Sequence, residues 1–244
     1  MNRLIVGTAF LLLATAAQAQ MQIRTTPAYP VADRAGFSIG PRYSNYATDL
    51  DVDITTIESG RQHAIGLVGE YRSGSFVLDF NWDHDPENGL EIIDFLPIDF
   101  GRYERDRGEF TIGWAAHPAI DIQGGFRVDT FTIGADFDNF FFNDEFDHSA
   151  ILFGVGVHTP TRRPFGVYGK LRGFVGTIDF GGSGFGQAQA DSAGWRAEGG
   201  VEIPIGDSNW TAVPGLEFEL LDADPEFTVE TNRFFVNFVY NFER

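Results

Sequence analysis

The sequence predicts an all-β fold: a single antiparallel up-and-down barrel of about ten strands. Three observations carry this. From residue 36 onward apolar side chains recur at every second position, the period of strands with one apolar face. After the first twenty residues no stretch keeps the i, i+3, i+4 spacing of an amphipathic helix. The connections between the alternating runs are short and long by turns, as in a meander of hairpins.

The elements follow in order. Met1 to Gln20 has the layout of a secretory leader: Arg3 supplies the positive start, Leu4 to Ala16 the apolar stretch and Ala17-Gln18-Ala19 a small-x-small cleavage site. Residues 1–19 are thus assigned to a signal peptide, 20–35 to a periplasmic N-terminal segment and 36–244 to a barrel. The apolar stretch falls short of the roughly 20 residues that cross a bilayer as a helix, and no later segment approaches that length. Ten alternating runs come next, near 36–44, 61–72, 75–83, 108–117, 119–131, 148–158, 165–177, 193–204, 210–221 and 231–242. In the third, Phe76, Leu78, Phe80 and Trp82 alternate with Val77, Asp79, Asn81 and Asp83; the last sets Phe234, Val236, Phe238, Tyr240 and Phe242 on one face. Most runs have the roughly 9–11 residues of a tilted membrane strand.

Sorting the faces separates two compositions. One face runs from Phe37, Ile39 and Tyr43 to Trp210, Leu216, Phe218 and Leu220, with no Asp, Glu, Lys or Arg within any run. The other carries Arg42, Glu70, Arg72, Asp79, Asp83, Glu109, Asp121, Arg127, Asp129, Lys170, Arg172, Arg196, Glu198, Glu202, Glu217, Glu219 and Arg233, interspersed with glycines such as Gly66, Gly125 and Gly215. One face therefore meets a medium that excludes charge. A soluble calyx turns that face inward around a ligand; a membrane barrel turns it outward to lipid. Connection lengths favour the membrane. Ser73-Gly74, His117-Pro118, Thr159 to Pro164 and Ile205 to Asn209 are short, whereas 45–60, 84–107, 132–147, 178–192 and 222–230 are long. Strict alternation of this kind marks short periplasmic turns and longer external loops. Aromatic rings divide in the same way. Tyr43, Trp82 and Trp195 fall at external ends, and Phe37, Tyr71, Trp210, Tyr240 and Phe242 at periplasmic ends, giving two girdles at headgroup level. The fold is read as a transmembrane β-barrel.

On these residues the chain resembles the small Gram-negative outer-membrane β-barrel proteins of the broad porin and OmpA-like barrel superfamily, across essentially the whole mature chain. The most specific piece is Phe238-Val239-Tyr240-Asn241-Phe242, which is similar to the C-terminal aromatic signal of those families; Glu243 and Arg244 extend past it, and Asn237 stands where many members carry glycine. The resemblance implies residence in the outer membrane, contact with its lipid and lipopolysaccharide, insertion by the barrel-assembly machinery through the last strand, and a monomer.

Two readings of the lumen are open: a salt-bridge network that closes it, since buried charges must be paired, or a charge-lined pore. A ten-stranded barrel is narrow, which favours closure. Among the external segments, Asp49, Asp51 and Asp53 read as a solvated strand face, since a calcium loop would add a glycine and a distal glutamate. The aromatic stretch from Gly134 to Asp147 reads as a packed lid or a partner surface. Asp83-His84-Asp85 and Asp147-His148-Ser149 hold the ingredients of a rim hydrolase. However, Asp147 and His148 are adjacent, unlike the Asp-x-His couple of omptin proteases, and His148-Ser149 lacks the His-x-Ser spacing of lipid A deacylases. The expectation is a non-enzyme without cofactor or metal. Composition closes other routes. Acidic residues number 35 against 17 basic ones, with Lys170 the single lysine, which argues against nucleic acid. The chain has no cysteine, which removes thiolate chemistry and disulfides.

Overall fold

The computed structural model describes residues 36–52, 55–59, 62–92, 98–137, 140–159, 165–182, 188–223 and 227–242. The leader, its cleavage site, segment 20–35, Asp53, Glu243 and Arg244 lie outside them. Every regular element among the described residues is a strand: β1 (Gly36–Val52), β2 (Thr55–Ser59), β3 (Gln62–Ser73), β4 (Phe76–Ile92), β5 (Ile98–His117), β6 (Ile120–Phe137), β7 (Phe140–His158), β8 (Gly166–Gly182), β9 (Ala188–Pro204), β10 (Trp210–Ala223) and β11 (Phe227–Phe242). Each pairs antiparallel with its neighbours. β11 returns to β1, from Phe37↔Phe242 to Val52↔Phe227, and closes the barrel. β2 and β3 together form one stave, since both pair with β1 on one side and β4 on the other. The result is ten staves, with both chain ends beside the short turns.

Each expected strand is present, but the long connections differ from their sequence reading. Most of 45–60, 84–107, 132–147, 178–192 and 222–230 continues as strand, so the external loops are tall hairpins. The pairing runs on to Phe137↔Phe140 and to Phe180↔Ala188. The reason is an inversion of phase. Lower down, the outward positions are apolar and the inward ones charged. Higher up the inward positions become apolar (Tyr46, Tyr103, Phe131, Phe146, Ile178, Leu221, Phe227), while the outward ones become Asp147, Asp179, Asp191, Asp222 and Glu230. A period-two pattern that exchanges its faces reads as the end of a strand although the backbone continues.

The outward band decides between the two barrels. Ile65, Trp114, Ile122, Ile151, Phe165 and Leu216 are exposed, and Arg105, Arg107, Arg127 and Glu217 are fully buried inside, the reverse of a calyx. The band runs from seven residues on β4 (Phe76–Trp82) to eleven on β10 (Trp210–Leu220). At about 3.3 Å per residue this is roughly 20–33 Å along the strands, and a tilt of about 40° brings the longest to the roughly 25 Å apolar height of membrane barrels.

Glycine is required at two kinds of place. Gly74, in the β3–β4 turn, has φ 58°, a left-handed conformation, with open space around it. Gly66 faces inward, where a Cβ would fall 2.3 Å from the Trp82 carbonyl oxygen and 2.6 Å from Asp83 Oδ1. Gly74→Ala is expected to cost about 1–2 kcal/mol, the left-handed penalty. Gly66→Ala is expected to cost more, about 3 kcal/mol, because backbone must move. Urea titration of detergent-refolded protein, read as the heat-modifiable band on gels, checks the order.

Candidate functional site

The interior is built in three tiers. At the short-turn end lies a vestibule of about 110 Å³, lined by side chains that include Arg72, Asp79, Asp121, His158, Lys170, Glu198 and Asn237. That volume holds several waters, at about 10–15 Å³ of such space each. Here Arg72 grips Asp121 bidentately at 2.9 and 2.6 Å, and His158 Nε2 lies 3.2 Å from the same carboxylate. Lys170 Nζ reaches Asp79 at 3.1 Å, Tyr168 donates to Glu198 at 2.7 Å, and Glu70 stands 3.8 Å from Arg72. Glu202 is buried on the inward face of β9, opposite Gly166.

Above the vestibule the charges close on one another across the lumen. Arg107 of β5 donates to Asp83 (2.6 Å), Glu217 (2.8 Å) and Glu219 (3.0 Å), joining β4, β5 and β10. Arg42 of β1 meets Glu217 at 2.9 Å, and Arg233 of β11 meets Asp83 at 2.8 Å. Arg127 of β6 holds both oxygens of Glu219, at 2.9 and 2.8 Å, and also donates to Asp129. Arg105 bridges Asp129 at 3.0 Å and Glu219 at 2.7 Å. On the other flank Glu109 receives both Arg196 and Arg172, and Arg172 turns back to Asp79 at 3.3 Å. Arg42, Arg105, Arg107, Arg127, Arg172, Arg196 and Arg233 thus face Asp79, Asp83, Glu109, Asp129, Glu198, Glu217 and Glu219, one cation for each anion. Charges removed from water need this, because each ion loses several kcal/mol of hydration and recovers it only from well-formed partners.

The third tier is apolar. Phe146, Phe180 and Phe227 come from β7, β8 and β11, with ring centroids 5.4 to 5.9 Å apart. The tiers are stitched together by guanidinium groups lying over rings: Arg42 on Phe235, Arg105 on Phe131, Arg127 on Phe174 and Arg233 on Tyr46, at 4.1 to 4.8 Å.

All the lumenal charges named from the sequence point inward, and they divide between the vestibule and the central network. Of the girdle, Tyr43, Tyr71, Trp82, Trp195, Trp210 and Phe242 are exposed on the outer face, and Tyr240 is half-buried between Trp210 and Phe242. Arg105 and Arg107 escaped the sequence reading, which placed them in a loop. Their signal is the series Tyr103, Arg105, Arg107, Glu109, Thr111, which keeps one face throughout. The two His segments separate: Asp83, Asp85 and His148 face inward, while His84 and Asp147 face outward. Outside, His84, Glu104 and Asp106 bring their ligand atoms within 4.8 Å of one another, and His84 stacks on Trp82.

No protein-family model matches the sequence, and no curated protein matches it either. Solved structures share the fold. The outer membrane protease OmpT from Escherichia coli superposes with a TM-score of 0.55 at 8% identity, over 89% of this chain and 99% of that one. The translocator domain of the autotransporter NalP from Neisseria meningitidis superposes with a TM-score of 0.51 at 13% identity, over 94% and 98%. The likeness is one of architecture.

Arg107→Met leaves Asp83, Glu217 and Glu219 short of a shared cation and is expected to destabilise the barrel by about 3–5 kcal/mol. Lys170→Met, at a side chain 21% exposed in the vestibule, is expected to cost under about 1 kcal/mol. Equilibrium urea unfolding of both variants measures the contrast.

Proposed function

We propose that this chain is an integral barrel of the Gram-negative outer membrane with a closed lumen, serving a structural or interaction role through its tall external hairpins. The observation that carries this is the pairing of an apolar outer band on every stave with a central network whose charges neutralise one another. The band calls for lipid, and the balanced network gives ions no reason to enter. The vestibule lies on the short-turn side, which this reading makes periplasmic, and Arg42, Glu109 and Arg172 of the network line it. Orientation follows from the hairpins: short turns inside, tall ones outside.

Asp147, Asp179, Asp191, Asp222 and Glu230 point outward just above the band. In this reading they lie at the phosphate level of lipopolysaccharide, where divalent cations bridge carboxylate and phosphate. Insertion through the aromatic last strand by the barrel-assembly machinery, and a monomeric state, belong to the same proposal.

Fractionation and conductance test it together. The mature protein is expected in the membrane fraction, released only by detergent, and silent in planar bilayers. Recovery from the soluble periplasm would overturn the membrane part. Steady conductance that shifts on Glu198→Gln would overturn the closed lumen and favour a narrow pore.

A further inference from the structure

One part of the interior is left unexplained by sealing. His148 of β7 lies in register with Asp129 of β6, and its Nδ1 is 3.0 Å from Asp129 Oδ2. Its Nε2 is 3.1 Å from the hydroxyl of Ser192 on β9. All three side chains face inward, with 1% (Asp129), 2% (His148) and 6% (Ser192) of their surface exposed. β8 runs between His148 and Ser192, yet its inward residue there is Gly176, paired with Ser192 on one side and Ala150 on the other. A Cβ at Gly176 would fall 2.0 Å from the Ser149 carbonyl oxygen, which excludes a side chain at the β8 position paired with Ser192. The network does not require this arrangement. Asp129 already has Arg105 and Arg127 as its cations.

The hydrogen-bond chemistry has a direction. An ionised carboxylate only accepts, so Nδ1 carries a proton, and in the neutral imidazole Nε2 is then the acceptor for the Ser192 hydroxyl. That is the order of a nucleophile, a base and an orienting carboxylate. Arg105, on the same carboxylate, keeps its Nη1 buried without a hydrogen-bond partner. Above the three residues stand Phe146, Phe180 and Phe227, while the inward positions on β9 beyond Ser192 are the small Ala190 and Ala188. An apolar acyl group entering from the tall-hairpin end would meet these rings and the small side chain of Ala190, which packs against the same apolar cluster.

We propose that Asp129, His148 and Ser192 form an acyl-transfer site inside the external half of the barrel, acting on esters of apolar acyl groups. Ser192 Oγ bonds to the ester carbonyl carbon as His148 Nε2 takes the hydroxyl proton. The C–O bond to the alcohol breaks, and the alcohol leaves with that proton. Water then adds to the acyl-serine, again through His148, releasing the carboxylic acid and restoring the hydroxyl.

The test is covalent labelling of the detergent-refolded full chain with a fluorophosphonate, read by mass spectrometry of the Ser192 peptide. Phe180→Ala, which opens the aromatic tier, is run beside the wild type, and heat-modifiability verifies that each variant is folded. An adduct on Ser192 in either protein is expected. His148→Ala, made in the background that labels, is expected to slow it by about 100-fold or more, the usual weight of a general base. Ser149→Ala, at the outward neighbour of His148, is expected to label as its parent does. Should His148→Ala not fold, His148→Gln takes its place. Absence of a Ser192 adduct from both the wild type and Phe180→Ala overturns the proposal. So does labelling that proceeds at the same rate without the imidazole.

Discussion

The structure depends on one constraint: charge that the barrel turns away from lipid has to be neutralised within a space too narrow for bulk water. Ten staves enclose little more than their own side chains. An apolar outer face leaves the inner face as the place for polar residues, and each charge placed there then commits residues on distant staves. Glu217 on β10 is held by Arg107 of β5 and Arg42 of β1; Asp83 on β4 is held by Arg107 and by Arg233 of β11. Asp83 and Arg107 face each other across the β4–β5 pair, and the other three contacts join staves that are not neighbours in the sheet. Backbone pairing alone defines a closed ribbon, and the cross-lumen bonds limit how that ribbon can flatten or slide.

Neutrality at the centre changes the meaning of the formal charge of −18. The central network is balanced and supplies none of it. Part of the excess sits in the vestibule, where carboxylates outnumber cations and there is room for water, and part on the outer face above the apolar band, at Asp147, Asp179, Asp191, Asp222 and Glu230. The acidic collar and the inward shift of apolar residues are two sides of one event. Where the strands leave the apolar medium, the outer face is free to be charged, and the inner face must provide the core that lipid contact provided lower down. Phe146 and Ile178 belong to an ordinary buried core, while Ile151 and Val175 on the same strands belong to a lipid-facing band.

This inversion explains what could be read from the sequence and what could not. The ten staves, their short turns and the two faces were legible because one rule, apolar on alternate residues, holds from Phe76 to Trp82 and in every equivalent segment. The tall hairpins were not, because the rule reverses its sign near Asp83 and Glu109 without any break in the backbone. Arg105 and Arg107 were lost with them. The partners of each charge were out of reach for another reason: they depend on the stagger at which β11 meets β1, a property of closure that no local run encodes. His148 and Ser192 show this most clearly. They are 44 residues apart, and a whole stave lies between them, whose residue paired with Ser192 is Gly176.

The choice of cation follows from the same geometry. Every cation of the central network is an arginine, and the single lysine stands in the wet vestibule at Lys170. A guanidinium is a planar fork with five donors and is more weakly hydrated than an ammonium ion, so it loses less on burial and can serve two or three carboxylates at fixed angles. Arg107 does this with Asp83, Glu217 and Glu219, and Arg127 does it with Asp129 and both oxygens of Glu219. The flat faces of Arg105 and Arg127 lie on Phe131 and Phe174, a contact open to a delocalised plane. A lysine at either position would present a compact, strongly hydrated charge with no fork to span the carboxylates and no face for the ring. The arginines are therefore the pieces that let a charged tier and an apolar tier share one narrow lumen.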